Sequence, residues 1–587
     1  MKKRIAIIDR DKCHPEECGN FLCAKLCPVN RTGTDCIAEH EIHKKAKIDE
    51  VLCTGCGICP NRCPFQAIQI INLPEALNKE PVHRYGENSF ELFSLPTPLF
   101  NQVTGILGKN GIGKTTALKI VAGLLEPNLG NWENAPKFKE IIAHFKGTET
   151  QKFLEKLEKK EIKLSYKPQQ VDLIPKQFKG TVKELLSKVN ETDNLTEVVQ
   201  QLNLSNFLDT EISKISGGEL QRVAIAAAVL KKANIYLFDE PGSYLDIKQR
   251  INVAKYIGSL TKEDTAVMVI EHDLIILDYM TTLLNVMYGQ EAAYGIVSGL
   301  KSTREGINSF LEGYLKEENI RFRSYPIKFE KVQDRQVGSK QTLVSWKNLQ
   351  KKLGNFHLKT EEGELHKNEI IGILGENGIG KTSFIKLLAG LIKQDSGELD
   401  EEVKVAYKPQ YLETESDHLV MEFLQGAIKK YNQQLIEPLN LTNLLTKRLS
   451  ELSGGELQKV SIVHCLSQDA ELFLLDEPSA YLDVEQRLLI SKIIKKIANE
   501  REITIMVVDH DLMFLDYLSD RLVVFTGEPA KSGLLKGPFS MEEGMNIFLK
   551  DLNITLRRDL TSHRPRINKP GSVKDREQRN NNTLYYS

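Results

Sequence analysis

The sequence has no long hydrophobic run. Its 587 residues contain no apolar stretch of eighteen or more, which is about the length that a helix needs to cross a bilayer. The basic opening MKKR is followed by the apolar run IAII, which is too short for the core of a signal peptide. The sequence therefore predicts a protein without a membrane span that stays in the cytoplasm.

An excess of charge of either sign is also missing. The 78 Lys and Arg residues nearly balance the 79 Asp and Glu residues, so the formal net charge is −1. Overall attraction to nucleic acid is therefore excluded, and any such contact must come from local basic patches. A hydrophobic share of 41% is ordinary for a globular protein, and the length suggests about four domains of ~150 residues.

Cysteine is scarce over most of the chain and concentrated at its start. Nine of the 10 cysteines lie between Cys13 and Cys63, and the tenth, Cys465, stands alone in a helical pattern. Clustered cysteines in a long chain without a secretion signal indicate metal binding rather than disulfide bonds. We interpret the isolated Cys465 as a small buried apolar residue.

The cysteine spacing predicts two iron–sulfur clusters. The second run, CTGCGICPNRCP, has the C-x2-C-x2-C-x3-C-P pattern of bacterial ferredoxins, and the looser first run also ends in C-x3-C-P. In two-cluster ferredoxins the fourth cysteine of each run binds the other cluster. One [4Fe–4S] cluster is then expected on Cys53, Cys56, Cys59 and Cys27, and the other on Cys13, Cys18, Cys23 and Cys63.

One cysteine of the group, Cys36, remains outside this assignment. It could replace Cys13 or Cys18, and the spacing leaves that choice open. Zinc is the alternative metal because sets of four cysteines also bind Zn²⁺. Zinc sites seldom show the spacing of the second run, so iron is the favoured interpretation.

After residue 80 the chain repeats itself. Five segments recur in the same order: GKNGIGKTT and GENGIGKTS (108–116, 375–383), YKPQ (166–169, 407–410), SGGELQRV and SGGELQKV (216–223, 453–460), FDEPGSYLD and LDEPSAYLD (238–246, 475–483), and IEHDL and VDHDL (270–274, 508–512). The first copy is about thirty residues longer between its first and third segments. The extra piece, near 131–163, has helical periodicity on either side of a Gly-Thr break and predicts a helix–loop–helix. This insertion is either a solvated appendage or a docking element.

Both GxxxxGK[ST] segments are phosphate-binding loops in the required context. Each follows an apolar strand and opens a helix, so that backbone N–H groups can surround phosphates at a helix N-terminus. The lysine reaches the outer phosphates, and the following threonine binds Mg²⁺. The candidate ATP-binding residues here are Gly108, Asn110, Gly111, Gly113, Lys114, Thr115 and Thr116 in the first copy, and Gly375, Asn377, Gly378, Gly380, Lys381, Thr382 and Ser383 in the second.

Each repeat also contains a buried strand that ends in an acidic pair. Asp239 and Asp476 are expected to hold Mg²⁺ through water, and Glu240 and Glu477 to polarise the attacking water. An acidic pair at a strand end could instead cap a helix. Its recurrence as Asp-Glu-Pro beside a phosphate loop favours the catalytic interpretation.

With the SGGE segments, the chain resembles the ATP-binding-cassette (ABC) ATPases. The resemblance implies an α/β fold with two tandem ABC-type P-loop nucleotide-binding domains behind a small α+β ferredoxin-like domain. It also implies that the cassettes face head to tail around two ATP molecules. Signature residues Ser453, Gly454 and Gly455 would then complete the site of Lys114, and Ser216, Gly217 and Gly218 the site of Lys381.

The same resemblance assigns further site residues. Gln169 and Gln410 resemble the lid glutamines near Mg²⁺ and the attacking water, His272 and His510 the switch histidines at the γ-phosphate, and Asp246 and Asp483 the D-loop acids that cross between cassettes. Tyr85 and Phe90 are candidates for stacking on the adenine of the first site, with Phe356 a weaker candidate in the second. All three aromatics could equally be core residues.

Twin cassettes behind a two-cluster domain resemble the ribosome-recycling ABC ATPases, also called the RNase L inhibitor family. The resemblance extends over nearly the whole chain, including the insertion and the tail 557–578, and the CGNFLCAKLCPVNR spacing is similar to archaeal members. It implies an ATPase that uses ATP, Mg²⁺ and two [4Fe–4S] clusters to split ribosomes into subunits. A release or rescue factor would occupy the neighbouring site, and the protein would then stay on the small subunit, with rRNA, ribosomal proteins and initiation factors as contacts and no membrane partner.

We therefore expect five regions. They are an iron–sulfur domain at 1–75, a first cassette at 76–300 with its insertion near 131–163, a first hinge at 301–335, a second cassette at 336–531, and a second hinge with the tail at 532–587. Basic residues of the tail could meet rRNA phosphates or pair with cassette acids. An ATP-coupled iron–sulfur redox protein is the alternative function, and a membrane-transport ATPase is a third.

Overall fold

The computed structural model describes residues 4–72, 80–329, 341–400, 403–410 and 418–586. In the N-terminal domain, two short helices that end in cysteine-proline segments pack together. Strands β1 and β4 pair antiparallel, as do β2 and β3. The elements are β1 (Arg4–Ile8), α1 (Leu22–Leu26), α2 (Pro28–Arg31), β2 (Ile37–Glu39), β3 (Ala46–Ile48), α3 (Ile58–Arg62) and β4 (Ile68–Asn72).

The first cassette is built on one mixed sheet. Its strands are β5 (His83–Arg84), β6 (Glu91–Phe93), β7 (Val103–Leu107), β8 (Leu164–Lys167), β9 (Ile235–Asp239), β10 (Ala266–Ile270), β11 (Leu283–Gln290) and β12 (Tyr294–Ser302). The spatial order is β5-β6-β12-β11-β7-β10-β9-β8. The run from β11 to β8 is parallel. Strands β7, β9 and β10 are buried throughout, as expected for apolar runs in a parallel sheet covered on both faces.

Helices cover this sheet and extend into the first hinge. They are α4 (Lys114–Val121), α5 (Phe138–His144), α6 (Glu149–Glu158), α7 (Ile174–Gln177), α8 (Val182–Val189), α9 (Leu195–Gln201), α10 (Gly217–Val229), α11 (Ile247–Ser259), α12 (Leu274–Met280) and α13 (Thr303–Glu312). Helices α5 and α6 lie inside the 131–163 insertion and turn at Gly147. Their apolar residues join the core beside α4. After α13 the hinge continues as the hairpin β13 (Tyr314–Leu315) and β14 (Ile320–Arg321).

The second cassette repeats this arrangement with a larger antiparallel edge. Its strands are β15 (Thr342–Leu353), β16 (Phe356–Thr360), β17 (Gly363–His366), β18 (Ile370–Leu374), β19 (Ser396–Leu399), β20 (Val405–Lys408), β21 (Leu472–Asp476), β22 (Thr504–Val508), β23 (Arg521–Glu528) and β24 (Ser532–Ser540). The order β23-β18-β22-β21-β20 matches β11-β7-β10-β9-β8 of the first cassette. Equivalent strands therefore deliver equivalent residues to the same edge of each sheet.

The remaining helices and the C-terminal segment complete the molecule. They are α14 (Lys381–Leu388), α15 (Val420–Phe423), α16 (Gln425–Tyr431), α17 (Gly454–Leu466), α18 (Val484–Arg501), α19 (Leu512–Leu518), α20 (Met541–Leu552), the hairpin β25 (Leu556–Arg558) and β26 (Pro565–Ile567), and α21 (Val573–Asn580). One buried apolar cluster contains residues of both cassettes, of α13 and of the tail. Among the helices that the structure describes, none combines the length and the apolar character needed to span a membrane.

Candidate functional site

The two phosphate loops have the same local geometry. Gly113 and Gly380 precede α4 and α14 in the left-handed conformation, with φ of +85° and +99°, which a residue with a Cβ adopts at a cost. The Lys114 ammonium is buried and donates to the carbonyl oxygens of Gly108 at 3.0 Å and Lys109 at 2.5 Å. The ammonium of the equivalent Lys381 is held by its own loop in the same way. Each lysine is thus stored within the loop whose N–H groups would surround the phosphates.

The candidate aromatics occupy two different places beside the first loop. A Cβ on Gly113 would lie 2.5 Å from the Phe90 ring, and one on Gly380 would lie 2.9 Å from the Phe356 ring. Phe90 and Phe356 therefore pack against the loop glycines at equivalent positions. Tyr85 is 54% exposed, and its hydroxyl lies 3.0 Å from Thr116 Oγ1. The exposed ring of Tyr85 is the better placed of the two first-site candidates to stack on a base.

The acidic residue at the end of β9 and β21 fits a magnesium site. Asp239 and Asp476 are buried, and one carboxylate oxygen of each, Oδ1, has no hydrogen-bond partner among the described residues. The Thr382 hydroxyl donates to the other oxygen of Asp476 at 2.9 Å. Burial raises the pKa of Asp476 to about 6, a cost that a bound divalent cation would remove. A threonine hydroxyl and an unpartnered carboxylate oxygen are the hard ligands that Mg²⁺ prefers.

The next residue, a glutamate, is held by the lid glutamine and the switch histidine. Glu240 Oε1 accepts a hydrogen bond from Gln169 Nε2 at 2.7 Å and lies 3.2 Å from His272 Nε2. In the second copy, Glu477 Oε1 lies 3.4 Å from His510 Nε2.

The protonation states of these groups suit hydrolysis. Burial alone would raise the pKa of Glu240, but the hydrogen bond and charge of His272 and the charge of Lys114 outweigh it and lower the pKa to about 2. The pKa of Glu477 is likewise lowered to about 2. Burial and the nearby Lys381 lower the pKa of His510. At neutral pH both glutamates are therefore ionised and His510 is neutral, which leaves each carboxylate able to accept a hydrogen bond from water.

The D-loop acids connect the cassettes. Asp483 Oδ2 accepts a hydrogen bond from the backbone N–H of Asn110 at 3.1 Å, and Asp246 Oδ2 accepts one from the N–H of Asn377 at 3.0 Å. Each acid also caps its own following helix through Oδ1. Both phosphate loops are therefore tied to the opposite cassette by a carboxylate.

Both sites open into one cavity of about 1330 Å³ between the cassettes. Its walls include the signature residues Ser216 to Gly218 and Ser453 to Gly455, together with the phosphate-loop residues Asn110, Asn377 and Gly378. Ser216 and Ser453 are the N-caps of α10 and α17, where a capping box with the SGGE glutamate orients the first turn. Each signature helix therefore presents its N-terminus to the cavity that the phosphate loops also line. The pairing of each signature with the loop of the other cassette stays a prediction of the resemblance.

Ion pairs of opposite polarity flank the two sites. At the first site, Lys109 of the phosphate loop lies 2.9 Å from Glu485 of the second cassette. At the second site, Glu376 of the phosphate loop lies 2.6 Å from Lys248 of the first cassette. The residue types are exchanged between equivalent positions. Sequence reasoning missed these pairs because Lys109 and Glu376 stand at a position where the two phosphate-loop segments differ, and their partners Glu485 and Lys248 lie just outside the recurring segments.

The N-terminal cysteines fall into two groups. Cys13, Cys18, Cys23 and Cys63 line one cavity, whose other walls include Phe21, Phe65 and Ile68. Burial, together with the neighbouring thiols of Cys13, Cys18 and Cys63, raises the pKa of Cys23 to about 11. Among the described residues no three Cys, His, Asp or Glu side chains converge on a single-ion site. Four cysteine thiols that line one cavity are the donor set that an iron–sulfur cluster takes.

Cys36 lies with the other group of thiols. It is buried, and burial together with the thiols of Cys27 and Cys53 raises its pKa to about 12. Its Sγ atom lies 3.8 Å from the carbonyl oxygen of Asp49. The idea that Cys36 replaces Cys13 or Cys18 finds no support in this geometry, because the fold places Cys36 beside Cys27.

The basic tail is largely paired with acids. Arg564 is fully buried and donates to Asp278 at 3.0 Å, and Arg566 binds both Asp278 and Asp559. Arg558 stacks on Tyr586, whose hydroxyl donates to Asp516. Asp278 and Asp516 stand at equivalent positions of α12 and α19. Of the two interpretations of this tail, pairing with cassette acids therefore holds for these arginines.

The fold and the sites define an ABC-type ATPase with an N-terminal iron–sulfur domain. The ABC transporter family model matches residues 100–243 and 358–480, and the model described as a possible Fer4-like domain in RNase L inhibitor matches residues 4–35. An uncharacterized ABC transporter ATP-binding protein of Methanocaldococcus jannaschii is 51% identical over 99% of this chain and 97% of its own. The translation initiation factor RLI1 of Saccharomyces cerevisiae is 43% identical over 99% of this chain and 98% of its own.

One solved structure matches over the full length of the chain, and a second matches over most of it. The structure described as a model of ribosome-bound archaeal Pelota and ABCE1 matches with a TM-score of 0.93 at 51% identity, covering 100% of this chain and 99% of that one. A complex of the archaeal stalk protein aP1 with the ribosome recycling factor aABCE1 matches with a TM-score of 0.83 at 50% identity, covering 86% and 99%. The chain belongs to the RNase L inhibitor family of ABC ATPases, whose members include ABCE1 and RLI1.

Proposed function

We propose that this protein is an ATP-driven ribosome recycling factor of the cytoplasm. It would split ribosomes into subunits with a release or rescue factor in the neighbouring site and then remain on the small subunit. Its contacts there would be rRNA, ribosomal proteins and initiation factors. The observation that carries the proposal is the full-length match to the ribosome-bound archaeal ABCE1. The crossed pair of bonds from Asp246 and Asp483 supports an ATP-driven mechanism, because it makes each ATP site a joint of the two cassettes.

ATP binding would close that joint. The phosphate loop of one cassette and the signature helix of the other contribute N–H groups to the same nucleotide, so ATP favours the state in which both are in reach. Hydrolysis removes the shared γ-phosphate and releases the bias. Two rigid cassettes with buried cores would move as bodies about the hinges.

Hydrolysis would depend on the residues at the ends of β9 and β21. Glu240 or Glu477, ionised and oriented by its glutamine and histidine, polarises the attacking water. The ammonium of Lys114 or Lys381 moves from the loop carbonyls to the outer phosphates. Mg²⁺, held through Thr115, Asp239 and Gln169 or through Thr382, Asp476 and Gln410, supplies charge neutralisation at the phosphates when bound.

The N-terminal domain is fastened to the edge of the first site. Arg84 is buried and lies 2.8 Å from Glu50 of the N-terminal domain and 3.1 Å from Glu91 of its own hairpin. The Asn88 side chain bonds both the N–H and the carbonyl of Ile48 at 2.9 Å. Since Tyr85 and Phe90 belong to the same hairpin, a nucleotide there would bear on the attachment of the domain. This arrangement supports a mechanical arm moved by the first ATP site.

The arm would be stiffened by two [4Fe–4S] clusters. One would sit on Cys13, Cys18, Cys23 and Cys63, the other on Cys27, Cys53, Cys56 and Cys59. A domain of about seventy residues has a small apolar core, and metal binding can supply its folding free energy. We therefore assign the clusters a structural role. A midpoint potential that shifted with ATP turnover would instead favour the redox alternative.

Gradient sedimentation tests the proposal. Anaerobically purified protein is mixed with ribosomes, release factor and either ATP or a non-hydrolysable analogue. ATP should convert ribosomes to subunits, and the analogue should retain the protein on the small subunit. Intact ribosomes with the protein left at the top of the gradient would contradict recycling. The double variant Glu240→Gln/Glu477→Gln, which binds ATP but should turn over slowly, is the matched control for a need for hydrolysis.

A further inference from the structure

Two buried lysines next to the catalytic turns have no role in the mechanism above. Lys167 and Lys408 are each 1% exposed and occupy the same place in the repeated YKPQ segment. They are the last residues of β8 and β20, two positions before Gln169 and Gln410. A buried ammonium is costly unless its hydrogen bonds are satisfied, so its partners show what it is for.

Those partners are backbone oxygens at the end of the neighbouring strand. Lys167 Nζ donates to the carbonyl of Asp239 at 2.9 Å and to the carbonyl of Glu240 at 3.2 Å. Lys408 Nζ donates to the carbonyl of Asp476 at 2.8 Å. Each ammonium therefore donates to backbone carbonyl oxygens of the acidic pair and not to its carboxylates. The carboxylates stay available to bind Mg²⁺ and water.

The same glutamate carbonyl receives a second donor from the signature helix. Gln221 Nε2 of α10 donates to the carbonyl of Glu240 at 2.7 Å. Gln458 of α17 does the same for Glu477 at 2.5 Å. In the first cassette the lid strand and the signature helix therefore meet at the carbonyl of Glu240. In the second cassette they hold the two successive carbonyls on either side of the glutamate, Lys408 that of Asp476 and Gln458 that of Glu477.

The backbone around the glutamate needs this support because its conformation is unusual. Glu240 and Glu477 have φ of +47° and +48°, in the left-handed region that is disfavoured for residues with a Cβ. Such conformations persist only where the surroundings hold them. The Lys167–Gln169 segment holds Glu240 twice, since Lys167 binds its carbonyl and Gln169 binds its carboxylate.

We propose that Lys167 and Lys408 are positioning residues for ATP hydrolysis, which fix the peptide group of the catalytic glutamate so that its carboxylate faces the attacking water. The inference rests on the proposed catalytic role of Glu240 and Glu477. It also explains how the lid could report to the acidic turn. Displacement of β8 or β20 would move the ammonium together with the lid glutamine and so withdraw both supports of the glutamate.

The test compares Lys167→Met, Lys408→Met and the double variant in the full-length protein. Methionine keeps most of the apolar stem and removes the ammonium. We expect kcat for ATP hydrolysis to fall roughly ten- to hundredfold in the double variant, while KM stays within about twofold, because ATP binding does not use the lysine. The exposed Lys176→Met and Lys404→Met are matched controls and should keep the wild-type kcat.

A merely structural role would give a different pattern. The proposal is overturned if kcat per folded molecule is unchanged, or if KM rises while kcat stays constant. If the methionine variants do not fold, Lys167→Arg and Lys408→Arg replace them. Arginine keeps the charge but shifts the donors, so the same kcat loss at constant KM is expected, and wild-type kcat would refute the proposal.

A double-mutant cycle with Gln221→Leu tests the shared carbonyl. If Lys167 and Gln221 act through one peptide group, their combined effect on kcat should be smaller than the product of the single effects. Independent, multiplicative effects would contradict a common target. Failure of the catalytic assignment would appear separately, as unchanged turnover in Glu240→Gln/Glu477→Gln.

Discussion

At the residue scale, the environment of each glutamate decides what its carboxylate can do. Glu240 and Glu477 are ionised because the hydrogen bond from a histidine and nearby positive charge outweigh the effect of burial on their pKa. The adjacent Asp476 has the opposite shift, since burial and the negative charge of Glu477 raise its pKa more than Thr382 and the nearby lysines lower it. The glutamate is therefore an ionised carboxylate that can act as a base. The ionised form of the aspartate beside it is one that a bound cation would stabilise.

We expect Glu240→Gln/Glu477→Gln to slow ATP turnover by roughly a hundredfold or more, because glutamine cannot accept the water proton. Nucleotide retention should increase, since the closed state forms but does not reset. Steady-state phosphate release and retained radiolabelled nucleotide are the measurements. The exposed Glu263→Gln is the control. Unchanged turnover in the double variant would refute the catalytic assignment.

The cysteine groups lead to an iron prediction. Cys56→Ser should lose iron and brown colour while the cassettes stay folded, because Cys56 belongs to a proposed ligand set. Cys36→Ser should keep its iron, since the eight proposed ligands exclude Cys36. Iron per protein and the visible spectrum of anaerobic samples decide the matter. Full iron in Cys56→Ser, or loss of iron in Cys36→Ser, would require a different ligand set.

At the element scale, the tail hairpin β25–β26 packs against helix α12, and ion pairs from Arg564 and Arg566 to Asp278 hold it there. We call this hairpin the clasp. Arg564 is completely buried, and its guanidinium is neutralised by Asp278. Removing one member of a buried ion pair strands the other, which costs about 3–5 kcal/mol. We expect Asp278→Ala to raise hydrogen exchange throughout the tail hairpin, with the exposed Asp264→Ala as the control. Wild-type protection in Asp278→Ala would show that the clasp is held by apolar packing alone.

The same clasp should respond to acid. Burial would raise the pKa of Asp559, but hydrogen bonds from the Ser562 and Thr561 amides, the Asn308 side chain and the charge of Arg304 lower it below its ordinary 3.8. A lowered native pKa means that this stability is present above about pH 4 and is lost as the pH falls toward the native pKa. The protection of the tail amides, measured relative to the exchange rate of an unfolded chain at the same pH, should therefore fall below about pH 4 in the wild type. In Asp559→Asn the tail should be less protected from hydrogen exchange than in the wild type at neutral pH. The further loss of protection below about pH 4 should be smaller than in the wild type.

The elements also show how much the sequence could predict. The phosphate loops, the signature segments and the acidic pairs at the strand ends belong to repeated motifs. Each motif contains the residues that its chemistry needs, so the sequence alone could predict where these features lie. Lys167 belongs to the repeated YKPQ segment, yet the carbonyl oxygen that it binds, that of Asp239, lies more than seventy residues away in the sequence. The pairing of Arg564 with Asp278 spans 286 residues. Such contacts depend on the tertiary fold, and neither composition nor periodicity specifies them.

At the scale of the whole molecule, one ion pair bridges the two cassettes beside each ATP site. Glu376→Lys would place a lysine opposite Lys248 and should weaken the ATP-bound closed state roughly two- to fivefold, the modest effect of partly exposed charges. Adding Lys248→Glu restores an opposite pair and should restore closure. Nucleotide retention in the Glu240→Gln/Glu477→Gln background is the measurement. Equal defects in the single and the double exchange would show that these charges do not contribute.

The exchanged polarity of those ion pairs makes each cassette complementary in charge to the other cassette and not to a copy of itself. Two first cassettes placed face to face would set Lys109 against Lys248, and two second cassettes would set Glu376 against Glu485. Only a first cassette facing a second one brings opposite charges together at both sites. The halves share motifs but are not interchangeable, and a chain made from two copies of either half would carry a mismatch at both of its ATP sites.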